Sequence, residues 1–198
     1  MKNTLWKILR LLSSPLALLA YLTAIMLFSS DFRFLPKEIF VNIAKNLAIV
    51  QLLIPLFAYL IAVHFQKRAH RDNNILLVAE FAIYFAMVSF FGHTVFKSLS
   101  IMQQLPMFLT FAALVMEWRR KLDFHIFYLT AFITTLIIIS LIYRANLIIP
   151  IVVSVIAQGA LSYLYLEEET SSVRTLLVNF FLGIGITLLF FIYFLFTI

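Results

Sequence analysis

Apolar residues in this chain gather in runs of about 20, the length that spans roughly 30 Å of hydrocarbon at about 1.5 Å per residue. Short polar clusters separate the runs. Seven can be drawn, at 8–30, 38–65, 75–96, 101–118, 124–143, 147–166 and 174–197. None shows the short alternating strands of an outer-membrane barrel. The pattern predicts an all-α protein: a polytopic transmembrane helical bundle, one integral membrane domain over 1–198, with seven spans and six as the alternative.

Two stretches need separate argument. "MKNTLWKILRLLSSP" mixes Lys2, Lys7 and Arg10 with Leu, Ile and Trp6. It reads as an amphipathic turn or two at the interface, bent into the membrane near Ser13, Ser14 and Pro15. A cleaved signal peptide competes with that reading. Since "AIMLFSSDF" offers no clear small-x-small cleavage site and six more runs follow, an uncleaved first helix is expected. The stretch 75–118 must hold two spans in 44 residues. It is flanked by "QKRAHRDNN" and "EWRRKLD", and basic loops favour the cytoplasm. Both ends on one side require an even number of crossings, so a tight hairpin turning between Gly92 and Gln104 is expected.

The charges then give an orientation. With the N-terminus cytoplasmic, Lys2, Lys7, Arg10, Lys67, Arg68, Arg71, Arg119, Arg120, Lys121 and Arg174 lie inside. Arg33, Lys37, Lys45, Lys97 and Arg144 lie outside or near the outer ends.

Composition sharpens the class. Hydrophobic residues make up 64% of the chain and charged residues 12%, with mean hydropathy +1.04. A soluble domain carries about a quarter charged residues, so this surface is expected to face lipid. The expected location is the cell membrane, multi-pass (the inner membrane in a Gram-negative cell). There are no cysteines, which excludes disulfides, thiolate metal sites and cysteine nucleophiles. The net charge of +6 sits in short juxtamembrane loops. That fits orientation and anionic lipid better than nucleic acid. The expected partners are the lipid bilayer and a membrane-protein partner or a second copy of the chain, with no nucleic acid.

Few polar residues interrupt the runs. Glu80 is the one carboxylate between Ile75 and Phe91. It lies near the cytoplasmic boundary, where it can snorkel, or it faces the bundle interior as a proton, ion or substrate site. Tyr84 shares its helical face. Asn179 is expected in the same layer, Gln158 below it and Gln51 deeper, with His64 as a hydrogen-bond partner for Glu80. These six residues form the candidate intramembrane polar site.

Each also has a packing explanation. Ser154, Gln158 and Ser162 repeat every four residues, as do Asn179, Gly183 and Thr187. Such stripes let helix backbones approach and hydrogen-bond across the contact. They predict that the sixth and seventh spans pack directly on one another. Gln51 precedes Pro55 by four residues, so its carbonyl loses its helical partner. His64, His70, His93 and His125 do not fall into a haem or metal pattern, and no cofactor or metal is implied. The run Glu167–Glu169 reads as a solvated cap to the sixth helix.

No H-E-x-x-H, G-x-S-x-G or phosphate-binding loop is present, which points away from an enzyme. The expected function is therefore a non-enzymatic subunit, scaffold or assembly factor of a membrane complex. The alternative is a small transporter or channel-like protein for a proton, ion or lipid, built around Glu80.

Overall fold

The computed structural model describes residues 9, 13–29, 34–49, 53, 57, 60, 61, 78, 81, 82, 84–86, 88, 97–117 and 122–197. Glu80, Gln51, His64, His70 and His93 lie outside the described residues, so the site drawn around Glu80 is not described here. Among the described residues there is no strand, and six helices have defined bounds. They are α1 (Pro15–Ser29), α2 (Lys37–Ala48), α3 (Lys97–Glu117), α4 (Phe124–Tyr143), α5 (Ile148–Glu167) and α6 (Val173–Thr197).

The chain divides into two compact units, residues 1–18 with 121–198, and residues 19–120. The boundary falls inside α1. That helix starts where the sequence places a bend: Ser14 Oγ accepts from the Ala17 N–H at 3.3 Å, and Pro15 takes the first helical position. A serine cap followed by proline satisfies one orphan donor and removes another.

In the second unit, α2 begins the stretch expected as the second span. It is a 12-residue amphipathic helix, with Glu38 in its first turn and Lys45 in its last, and none of its described side chains is buried. Both charges suit the helix dipole. Phe40 of α2 packs on Phe28 of α1, with ring centroids 5.8 Å apart. α3 starts at Lys97, four residues before the expected span, so the second half of the expected 92–104 turn is helix. Its buried stripe is Ile101, Leu105, Leu109 and Ala113, spaced by four. Phe111 of α3 packs on Phe81 at 5.5 Å, and Tyr84 is buried in the same unit.

Among the described residues three helices are long and apolar enough to cross a membrane, α4, α5 and α6, all in the first unit. Their bounds agree with the fifth, sixth and seventh expected spans to within one residue. α4 is the central element: 61% of its most apolar stretch is buried, against 22% for α5 and 33% for α6. Both α5 and α6 pack on α4. The expectation that the sixth and seventh spans pack directly on one another gives way to an arrangement in which each makes its main contacts with α4. One residue of each small-and-polar stripe is shown against α4 at the same height, Gln158 on Thr130 and Gly183 on Thr130 and the Phe127 backbone.

The turns between these helices are tight. Arg144 ends α4 in a left-handed conformation, φ 50°, and Ser140 Oγ donates to the Ala145 carbonyl at 2.7 Å. α5 ends in a Schellman arrangement: Thr170 N–H reaches the Tyr165 carbonyl at 3.1 Å and Glu169 N–H the Leu166 carbonyl at 3.2 Å. Glu169, at φ 53°, occupies the position that favours glycine. Ser172 then caps α6, accepting from the Thr175 N–H at 3.2 Å.

Candidate functional site

The polar side chains of the first unit form two layers on α4. The upper one centres on Asp123, which precedes the first residue of α4. An aspartate there can cap its own helix, but this carboxylate makes no such bond. It accepts instead from Ser171 Oγ at 2.5 Å and more weakly from Asn179 Nδ2 at 3.4 Å, both at Oδ2. Three helix ends are thereby gathered on one carboxylate: the start of α4, the α5–α6 loop, and the second turn of α6. Asn179 is 2% exposed, so its amide has exchanged water for this contact.

Beside this layer, His125 Nδ1 lies 3.3 Å from Ser13 Oγ and 3.4 Å from the Ser13 carbonyl. A serine and a histidine at that distance raise the question of a nucleophile and its base. The serine proton answers it. Ser13 Oγ donates to the Leu9 carbonyl at 2.7 Å, so toward the imidazole it can only accept. The pair fastens Ser13, just ahead of α1, to the first turn of α4; it is not set up for proton abstraction.

The second layer lies seven residues further along α4, about 10 Å by helical rise. Gln158 Nε2 of α5 donates to Thr130 Oγ1 at 2.8 Å, and Thr130 passes its own proton to the Ile126 carbonyl at 2.7 Å. That chain fixes which end of the Gln158 amide faces Thr130. The other end, Oε1, is buried and has no hydrogen-bond partner. On the α6 side, Gly183 meets α4 at the same height. A Cβ there would stand 2.7 Å from the Phe127 carbonyl oxygen and 2.9 Å from Thr130 Cβ. Only glycine lets the two backbones come this close.

Most remaining hydroxyls in these helices turn back on their own backbone. Thr134, Thr135, Ser154 and Thr187 each donate to the carbonyl four residues earlier, at 2.7–2.9 Å. They thus present methyl and methylene groups to the neighbouring helix. Ser162 is half-buried.

Of the sequence candidates, Gln158 and Asn179 both face α4, but in separate layers with separate partners. Tyr84 belongs to the other unit. The residue that sequence reasoning missed is Asp123. Its signal was present: an aspartate directly before a long apolar run is a helix-start residue. Among the described residues no group of three or more His, Asp or Glu side chains could hold a metal ion. Comparisons with protein-family models, with curated proteins and with solved structures found no match.

Proposed function

We propose that this protein is a non-enzymatic subunit or scaffold of a membrane complex, crossing the cell membrane in seven spans with its N-terminus in the cytoplasm. The observation that carries this reading is how the first unit disposes of its polar groups. Nearly every buried hydroxyl and amide there bonds to a neighbouring helix or to its own backbone, which leaves little for a substrate. The outward faces, by contrast, are broad and apolar. α5 exposes Ile149, Val152, Val153 and Ile156, with Ile149 78% exposed, over a stretch without charge. Such a face suits lipid or another transmembrane helix, and the working surface of a subunit is of this kind.

The natural absence of cysteine makes the test clean. A single Val153→Cys or Ile156→Cys substitution in the full chain, oxidised in native membranes, is expected to cross-link to a defined membrane protein or to a second copy. Purification in mild detergent should retain the same partner in fixed stoichiometry. A monodisperse monomer that forms no cross-link at any position on this face overturns the proposal.

A further inference from the structure

α2 differs from the other described helices in the surface it presents. Lys45, Glu38, Asn42 and Asn46 fill one continuous arc of about 100°, at about 3.6 residues per turn. Ile39, Ile43, Phe40 and Ala44 fill the arc opposite. The four polar side chains are exposed, and so are Ile39 and Val41, whereas Phe40, Ile43 and Ala44 are half-buried. We infer that α2 is an interfacial helix, lying in the headgroup layer of the bilayer with its polar arc toward water and its apolar arc toward the acyl chains. The inference rests on the membrane reading of this chain and is independent of its having a partner subunit.

Depth decides the matter. α1 runs for 15 residues without a charge, and Phe28 is its last residue but one. The ring contact between Phe28 and Phe40, at 5.8 Å, holds the first turn of α2 at the depth where α1 ends. Among the described residues no helix runs alongside α2, so beyond that contact it does not fold back along α1.

Neither bulk phase suits a helix at that place. Hydrocarbon would have to receive Glu38, Lys45 and two asparagine amides, all of them exposed. Water would have to receive Phe34, Ile39 and Val41, exposed within the same short stretch. The interface meets both needs, and there a lysine stem lies on apolar ground while its ammonium reaches the phosphates.

Chain length agrees. The apolar stretch 38–65 has 28 residues, about 42 Å as a helix, against a hydrocarbon core of about 30 Å. With α2 on the surface, 49–65 still supplies 17 residues, about 25 Å, without Asp, Glu, Lys or Arg. The number of spans is unchanged; the second one begins later than its apolar run does.

The test uses the full chain in nanodiscs, spin-labelled at one introduced cysteine at a time. Asn42→Cys and Asn46→Cys report on the polar arc, Ile39→Cys and Ile43→Cys on the apolar one, and Tyr21→Cys on an exposed position within α1. Collision rates are read with a water-soluble nickel chelate and with oxygen, which concentrates in hydrocarbon. Nickel collisions are expected to dominate at Asn42 and Asn46, and the ratio should invert at Ile39, Ile43 and Tyr21.

Oxygen-dominated labels at all four α2 positions put the helix inside hydrocarbon and overturn the inference. Nickel-dominated labels at all four leave it standing in water and overturn it equally. Shielding of Ile39 and Ile43 from both probes means that protein covers the apolar arc, which also overturns it. A nickel-dominated Tyr21 overturns the membrane reading itself, and that result is distinct from a lipid-exposed α1 followed by a misplaced α2.

Discussion

Ser171 Oγ donates to Asp123 Oδ2 at 2.5 Å, and this one bond ties the α5–α6 loop to the residue that opens α4. The two residues are 48 positions apart in sequence. Since the acceptor is a carboxylate, the bond belongs to the stronger, charge-assisted class.

Ser171→Ala is expected to cost about 1.5–3 kcal/mol, the range for hydrogen bonds to charged groups. Asp123→Ala should cost more, because it also strands the buried Asn179 amide. The double variant should lose clearly less than the sum, since both substitutions remove the same bond. Equilibrium unfolding in mixed micelles measures all three; strict additivity would show that the bond contributes nothing.

The three glycines on α5 and α6 should separate cleanly. Gly183→Ala forces a Cβ into the Phe127 carbonyl and Thr130, so α4 and α6 must part, at about 1–3 kcal/mol. Gly159→Ala and Gly185→Ala meet nothing within 4 Å. Helix propensity then decides, and each should be neutral or stabilising by up to about 1 kcal/mol. Melting temperatures of the three variants give the comparison directly.

Thr130 and Gln158 offer a sign test. Thr130→Val leaves the Gln158 amide N–H buried without an acceptor and should destabilise by roughly 1–2 kcal/mol. Gln158→Leu removes the whole amide, including the already unpartnered Oε1, and should be neutral or stabilising. If Gln158→Leu proves the more damaging of the two, the unpartnered oxygen is occupied in the membrane.

Glu169→Gly is expected to stabilise the chain by about 1–2 kcal/mol, because a left-handed conformation at φ 53° burdens any side chain with a Cβ. The same change removes a negative charge from the end of α5, where the dipole disfavours it. Thermal unfolding in detergent at low and high salt separates the two contributions, since only the charge effect is screened.

What the sequence revealed and what it withheld divide along physical lines. The bounds of α4, α5 and α6 were legible because a membrane-length apolar run between Asp123, Arg144 and Ser172 leaves few places for a helix to start or stop. For α1 the sequence placed a bend near Ser13, Ser14 and Pro15 but drew the apolar run from residue 8, whereas the helix begins at Pro15. Which helix lies at the centre was not. α4 is apolar on every side, so periodicity carries no direction, and its three threonines look like any other membrane threonines until their rotamers are seen. Periodicity drew stripes through Gln158 and Asn179, but a stripe does not name its partner. Asp123 escaped notice because it sits in a basic loop, where charge was read as topology. The amphipathic spacing of Glu38, Asn42 and Lys45 was visible in α2, and the apolar residues after it masked its significance.

The finished protein buries most of α4, yet every side of that helix is greasy enough for lipid. Because α4 precedes both of its covering helices in the chain, it leaves the ribosome before either exists. Under the proposed membrane reading, its indiscriminate hydrophobicity suits a bilayer met ahead of α5 and α6, and the threonine hydroxyls satisfied on its own backbone lower the cost of that exposure.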